Sequence, residues 1–269
     1  MVYDVAAIVI GFALLVWGAD RFVIGAGATA RNLGVAPILI GLTIVGFATS
    51  APEILVSVVA SLQGTPGLAV GNAVGSNIAN IGLVLGIAAL IRPMEIRSQT
   101  LRRELPALLV VTLLAFMLCT DQTLSRIDGF VLLAGLAMLL YWIVTLGFRS
   151  SASDPMGVDY AAEIPSDMTM IRALSWLAAG LTVLLIGSNL LVNGAVAIAE
   201  SLGVSELVIG LTIVAIGTSL PELAVTSVSA VKGEHGLAVG NIIGSNMFNL
   251  LAVMGLAAAI APSDLDPNV

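Results

Sequence analysis

An internal repeat constrains this fold most strongly, because residues 34–86 recur at 203–255 without a gap and 27 of the 53 aligned positions are identical. The string GLTIVGFATSAPEILVSVVAS in the first copy corresponds to GLTIVAIGTSLPELAVTSVSA in the second. GLAVGNAVGSNIAN likewise corresponds to GLAVGNIIGSNMFN. Self-similarity at one fixed offset indicates a duplicated structural unit.

The repeat lies in a chain that is too apolar for a soluble domain, since 58% of its residues are hydrophobic and only 10% are charged. An apolar run of about 20 residues can cross a bilayer as a helix. Eight such runs lie near 5–27, 36–62, 67–91, 104–120, 127–147, 173–199, 205–231 and 236–261. We therefore predict an all-α, polytopic protein of the cell membrane whose first helix is retained.

The number of helices between the copies predicts an inverted-topology repeat. Five helices separate each element from its counterpart, and because five is odd the second copy must cross the membrane in the opposite direction. We divide the chain into a first five-helix repeat at 1–148, a polar loop at 149–170 and a second repeat at 171–269. Adding the offset of 169 to the fourth run gives 273–289, beyond residue 269. The second repeat is thus expected to have three helices and to lack its last two.

The distribution of basic residues predicts the orientation, because Lys and Arg are enriched in cytoplasmic loops. Loops on the other side carry only Arg126. The basic residues on the first side are Arg31, Arg92, Arg97, Arg102, Arg103, Arg149, Arg172 and Lys232. We therefore expect the N-terminus outside and the loop 149–170 in the cytoplasm.

Each copy places a proline directly before an acid inside an apolar run, as Pro52 and Pro221 show. Proline has no N–H, so the carbonyls of Ala48 and Gly217 are expected to lose their intrahelical partners. A freed carbonyl at membrane depth must line a polar cavity or find another partner, such as a cation. Interrupted helices of this kind build the midplane substrate sites of inverted-repeat transporters.

The two acids, Glu53 and Glu222, lie in the middle third of their helices. Insertion of a central acid costs about 2.5–3.5 kcal/mol, so both are expected to face the protein interior and mark an ion path. Residues three or four positions apart share a helical face, which adds further oxygen atoms. These additional candidate ligands are Thr49, Ser50, Ser76 and Asn80 in the first copy, and Thr218, Ser219, Ser245 and Asn249 in the second. A shell made only of oxygen suits a hard cation such as Ca²⁺, with about 6–8 ligands.

Other chemistry is excluded by composition. The single Cys119 and single His235 provide no nitrogen or sulfur cluster for zinc or copper. No HExxH or GxSxG pattern is present, so we predict neither an enzyme nor a bound cofactor. The acids behind the formal charge of −7 crowd into 154–167 and the C-terminal tail, which does not favour a nucleic-acid partner.

For some polar and small residues, the sequence suggests structural roles instead of, or as well as, ion ligation. Interhelical hydrogen bonding and ion contact explain four asparagines equally well: Asn72, Asn77, Asn241 and Asn246. Asp20 and Arg21 are expected to pair with each other near the inner end of the first helix. Four glycines, Gly71, Gly75, Gly240 and Gly244, are spaced to let helices approach closely and bring the ligand helices together.

At these motifs the sequence resembles the cation/calcium exchanger superfamily, which includes the sodium/calcium exchangers. GTSLPE and GNIIGSNMFN are similar to its paired alpha-repeats, and the resemblance extends over residues 5–261. It implies a ten-helix fold in which helices one and six are long, tilted gating elements that slide past the core. It also implies that Glu53 and Glu222 bind Ca²⁺ and Na⁺ alternately, assisted by the hydroxyl and amide residues and by backbone carbonyls near Gly46 and Ala215.

The resulting hypothesis is a membrane antiporter that exchanges Ca²⁺ for Na⁺ by alternating access, with calcium ions, sodium ions and the lipid bilayer as partners. Some sodium/calcium exchangers carry an aspartate where Asn249 stands, so this chain has two site acids rather than three. That difference leaves a Ca²⁺/H⁺ antiporter as an alternative. A passive cation channel or a non-transporting membrane scaffold are further alternatives from other classes.

Overall fold

The computed structural model describes residues 2–35, 37–64, 66–94, 101–150, 168–203 and 215–264. These residues are almost entirely helical. The helices are α1 Val2–Leu33, α2 (Pro37–Ile40, the π-helical Gly41–Val45 and Gly46–Thr49), α3 Ala51–Leu62, α4 Pro66–Ile91, α5 Leu101–Leu118, α6 Arg126–Ser150, α7 Met170–Ser201, α8 Ala215–Thr218, α9 Leu220–Val231 and α10 His235–Ile260. A two-stranded antiparallel pair, β1 Thr123–Leu124 and β2 Ser263–Asp264, joins the loop after α5 to the segment after α10.

The helices confirm a polytopic, all-α membrane protein. Five of those described are long and apolar enough to cross a bilayer, and the pair α2–α3 makes a sixth if it counts as one bent span. The predicted runs fall on these helices, except that 205–214, the first part of the seventh run, lie outside the described residues. The polar loop is likewise described only at its ends, because 151–167 lie outside.

Helices α1 and α7 form a long antiparallel pair held together by glycines. A Cβ atom placed on Gly18 would lie 2.5 Å from the backbone nitrogen of Leu184, so only glycine permits this approach. Contacts of the same kind join Gly11 to Leu191 and Gly25 to Leu177. Since residue numbers rise along α1 as they fall along α7, the two equivalent helices run in opposite directions. This arrangement fits the predicted inverted repeat.

Pro52 and Pro221 each mark a helix break rather than a kink within a continuous helix. Ser50, with φ −79° and ψ 5°, separates α2 from α3, and Pro52 lies in the first turn of α3. A proline in that position loses no intrahelical hydrogen bond, which is why the helix can restart there. The axes on either side of the break differ by 44°. Ser219, with φ −86° and ψ 5°, separates α8 from α9 in the same way.

The glycine predictions are confirmed in the second copy. A Cβ on Gly240 or Gly244 would lie 2.5 or 2.6 Å from a backbone carbonyl oxygen of α2. No described atom lies within 4 Å of the equivalent position on Gly71 or Gly75.

Helices α4 and α10 are equivalent, and a π-helical turn begins in each at the same repeat position, Asn80 and Asn249. Their burial differs sharply. In α10, 89% of the most apolar 18-residue stretch is buried, because α5 and α6 cover it. In α4, only 22% of the corresponding stretch is buried. No described segment covers α4 in the equivalent way.

Candidate ion-binding site

The two predicted acids lie close together in the protein interior, because each follows a break in its helix. Glu53 follows the break at Ser50 and Glu222 follows the break at Ser219, so each lies in the first turn of a new helix. Both side chains are completely buried, and they are close enough to interact electrostatically. Two acids from opposite repeats thus share one enclosed polar region.

Glu222 is held by hydroxyl groups of both copies. Ser50 donates a hydrogen bond to its Oε1 over 3.2 Å, and Ser245 Oγ lies 3.4 Å from the same oxygen. Ser245 Oγ is also 3.4 Å from the Gly46 carbonyl oxygen, so its single proton serves one acceptor at a time. Thr49 Oγ1 lies 3.2 Å from Ser245 Oγ and completes this hydroxyl cluster.

Glu53 has no equivalent support. The Thr218 side chain lies near its carboxylate, but neither carboxylate oxygen has a hydrogen-bond partner of good geometry among the described residues. Ser219 Oγ, whose counterpart Ser50 binds Glu222, is also without a partner there. The copies are therefore equivalent in sequence but not in contacts.

Further buried oxygens around the acids accept no hydrogen bond within the described part of the chain. Besides both oxygens of Glu53, these are Glu222 Oε2, Asn80 Oδ1 and Asn249 Oδ1. An unpaired buried carboxylate is costly, because burial removes its hydration without replacing it. A bound cation is the partner that such a concentration of oxygen atoms favours.

The asparagines make hydrogen bonds between helices, which supports a structural role for them. Asn80 donates to Asn246 Oδ1 over 3.1 Å, and Asn249 donates to Asn77 Oδ1 over 3.1 Å. Each bond becomes the other when the repeat offset is applied, so the two form a symmetric pair between α4 and α10. Because the amide nitrogens are used in these bonds, the free amide oxygens of Asn80 and Asn249 remain for an ion.

The other two asparagines brace the helices that carry the acids. Asn72 donates to Ser57 Oγ over 3.1 Å, and Asn241 donates to Thr226 Oγ1 over 2.9 Å. Asn241 Oδ1 also accepts the Thr49 hydroxyl over 3.0 Å. Sequence reasoning missed Ser57 and Thr226, although both repeat a hydroxyl residue at the same offset in an apolar helix.

The carbonyl of Gly217 has another partner, which is one of the outcomes expected for a carbonyl freed by a proline. The buried Ser188 hydroxyl of α7 donates to it over 3.2 Å. A hydroxyl can satisfy a freed carbonyl as well as an ion can. Ser188 was missed because a single serine in an apolar helix carries no distinguishing pattern.

Two predicted ligands remain, Ser76 and Ala215. Ser76 is buried on α4. Ala215 is the first described residue of α8, and only its backbone is described. Thus the structure brings together Glu53, Glu222, Thr49, Ser50 and Ser245, with the carbonyl of Gly46 beside them.

Comparison with known proteins gives consistent matches over nearly the whole chain. The family model described as sodium/calcium exchanger protein matches residues 3–149 and 172–269. CaxA of Alkalimonas amylolytica is 51% identical over 96% of this chain and 81% of its own length. The sodium/calcium exchanger MaX1 of Methanosarcina acetivorans is 33% identical over 95% and 82%. A solved structure of the sodium-calcium exchanger NCX_Mj, soaked with 10 mM Na⁺ and no Ca²⁺, superposes with a TM-score of 0.86 at 37% identity, covering 98% of this chain and 85% of that one.

Proposed function

Because this chain belongs to the sodium/calcium exchanger family, we propose that it exchanges Ca²⁺ for Na⁺ across the membrane by alternating access. Glu53 and Glu222 are the charged ligands in this proposal. The supporting oxygen ligands are Thr49, Ser50, Ser76, Asn80, Thr218, Ser219, Ser245 and Asn249, with the backbone carbonyls of Gly46 and Ala215.

One observation carries the proposal: two completely buried acids, one from each repeat, lie close enough to interact, and both oxygens of Glu53 and one of Glu222 have no hydrogen-bond partner in the described part of the chain. Packing alone does not explain two such acids, because an unpaired buried charge costs several kcal/mol. A divalent cation between them offsets both charges at once. Two Na⁺ ions would balance the same charge, so the ions can compete for one set of oxygens.

The mechanism follows from that competition. Ions of one kind enter from the open side and bind between the broken helices, where their charge neutralises the acids. The neutralised site allows the α1–α7 pair to move past the core and expose the ions on the other side. An empty, doubly charged site resists this movement because the moving pair would enclose unpaired carboxylates in a dry interior.

The test is Na⁺-dependent ⁴⁵Ca²⁺ uptake into proteoliposomes by Glu53→Gln and Glu222→Gln. Each change removes one of two site charges, and uptake should fall to the level of protein-free vesicles. Glu104→Gln is the matched control, because Glu104 is a buried glutamate on α5, outside the site. It should retain uptake. Uptake that survives either site substitution contradicts the proposal.

A Ca²⁺/H⁺ antiporter is the second candidate, favoured by the same unpartnered Glu53 oxygens, since a proton also removes a buried charge. Two vesicle preparations separate the candidates. One has a Na⁺ gradient at equal pH and the other has a pH gradient without Na⁺. Uptake only in the first supports Na⁺ exchange, and uptake only in the second supports H⁺ exchange. Uptake with neither gradient would indicate a channel.

A further inference from the structure

An ion pair joins α1, one helix of the α1–α7 pair, to the end of α9. Lys232 Nζ lies 2.8 Å from Asp20 Oδ1. The predicted Asp20–Arg21 pair is longer, with 3.6 Å between Arg21 Nε and Asp20 Oδ2. The Arg21 guanidinium instead lies over the rings of Trp17 and Trp176, 5.5 and 4.9 Å from their centroids. The closer partner of Asp20 is thus a residue of the core, not its neighbour on α1.

This ion pair lies at the edge of an apolar contact between α1 and α9. Phe22 and Val23 of α1 share a buried cluster with Ala224 and Val225 of α9. The ion pair therefore adds to an existing packing contact between α1 and the second repeat.

The equivalent side of the first repeat lacks both features. Subtracting or adding the offset of 169 converts Lys232 to Gln63 and Asp20 to Asn189, which are neutral. Within the described residues, α7 makes no packing on α3 comparable to that of α1 on α9. Leu55 of α3 is 65% exposed, whereas its counterpart Ala224 is 8% exposed. The molecule is closed on the α1–α9 side and open on the α7–α3 side.

In an inverted repeat, the two access states arise when the copies exchange conformations. In the opposite state α7 would pack on α3, while α1 would leave α9. We propose that Asp20 and Lys232 are positioning residues that form a one-sided latch, which holds α1 on α9 and biases the exchange cycle toward the conformation described here. This inference rests on the alternating-access function proposed above. Because Asn189 and Gln63 carry no charge, the opposite state has no matching ion pair.

The size of the bias follows from exposure. The two side chains are 33% and 31% exposed, and ion pairs of that kind are weak. Breaking the latch should therefore shift the ratio of the two states about 1.5- to 5-fold. That shift is large enough to measure and too small to abolish transport.

Distances between spin labels test the latch without relying on transport. Labels at Gln63→Cys and Asn189→Cys, in a Cys119→Ser background, mark the positions that mirror the latch and are exposed here. In nanodiscs, double electron–electron resonance should show a larger short-distance fraction when Asp20→Asn or Lys232→Gln is added. Arg172→Gln, which removes an exposed charge at the start of α7, is the matched control and should change nothing. Distributions that are unchanged in both latch variants overturn the proposal.

A charge swap separates a latch from a merely structural role. Asp20→Lys combined with Lys232→Asp restores the ion pair and should restore the original distance distribution, whereas loss of packing by either side chain would not be rescued. In flux assays, a broken latch should raise the half-saturating Ca²⁺ concentration on the open face and lower it on the other. Gln63→Lys with Asn189→Asp builds the mirror latch, which stabilises the opposite state, and should therefore shift both values in the same sense as breaking the native latch.

The two proposals fail in different ways. Wild-type protein without coupled exchange contradicts the proposed function, while the label distances still decide the latch. Coupled exchange together with insensitive distances and unshifted Ca²⁺ affinities contradicts the latch alone.

Discussion

At the residue scale, the two buried glutamates occupy equivalent sequence positions but have different surroundings. Glu222 Oε1 is approached by the hydroxyls of Ser50 and Ser245, whereas both oxygens of Glu53 lack partners among the described residues. A carboxylate held by hydroxyls is oriented before an ion arrives, and an unheld one must be ordered by the ion itself. We therefore expect the hydroxyls around Glu222 to contribute more to affinity than their counterparts around Glu53.

Ser245→Ala tests how much a hydroxyl beside Glu222 contributes to affinity. Ser245 Oγ approaches both Glu222 Oε1 and the Gly46 carbonyl, and a hydrogen bond to a charged group contributes about 1.5–3 kcal/mol. Its loss should raise the half-saturating Ca²⁺ concentration about tenfold or more. The measurement is ⁴⁵Ca²⁺ uptake as a function of concentration in proteoliposomes.

The matched control is Ser61→Ala. Ser61 is equally buried, but its hydroxyl bonds only to the Ser57 carbonyl of its own helix, and its repeat counterpart is already alanine at 230. Its affinity should stay near that of the wild type. Equal effects of the two substitutions would mean that general packing, not ion coordination, determines affinity.

At the scale of elements, the site depends on how closely α2 approaches α10. Gly244 faces the backbone of Leu42, and a Cβ there would lie 2.6 Å from the Leu42 carbonyl oxygen. The same contact holds the Gly46 carbonyl beside Ser245. Because the obstructing atoms are backbone, they cannot rotate away as a flexible side chain would.

Gly244→Ala should therefore separate the two helices. Overpacking of this kind costs about 1–3 kcal/mol, and each kcal/mol lowers the unfolding midpoint of a chain of this size by about 2–4 °C. The thermal midpoint in detergent should fall accordingly, and Ca²⁺ uptake should fall with it.

Gly86→Ala is the comparison, since no described atom lies within 4 Å of a Cβ at that position on α4. It should leave the midpoint unchanged or raise it slightly, because alanine favours the helix. A Gly244→Ala protein as stable and active as Gly86→Ala would show that the close approach is unnecessary.

At the scale of the whole molecule, the chain is asymmetric in two respects that the duplicated sequence does not display. The α1–α7 pair is seated on the second repeat, and α5 and α6 cover α10 while α4 remains exposed. The first asymmetry is expected of a transporter in one access state. The second lies in the packing of the described helices, since α5 and α6 contact α10 and no described helix covers α4 in the same way.

The proposed orientation is tested by single cysteines in a Cys119→Ser background. Ser153→Cys lies in the loop 149–170, outside the described residues, and the count of basic residues places that loop in the cytoplasm. A membrane-impermeant maleimide should label it only after the cells are permeabilised. Gln122→Cys, in the exposed turn between α5 and α6, should be labelled in intact cells. The reverse pattern would invert the proposed topology.

The sequence alone determined the membrane class, the duplicated helices and the identity of the central acids. Apolar run length follows directly from bilayer thickness, and an embedded Pro-Glu pair repeated at a fixed offset has few explanations other than a shared site. Only the tertiary structure decided which oxygens are already bonded. The Gly217 carbonyl accepts a hydrogen bond from Ser188, and Asp20 forms an ion pair with Lys232. Serine hydroxyls donate to Glu222, but no described residue donates to Glu53 with good geometry. These contacts join residues of different helices, and they depend on which side of the pseudo-symmetric core the α1–α7 pair occupies, which the motifs shared by the two copies do not reveal.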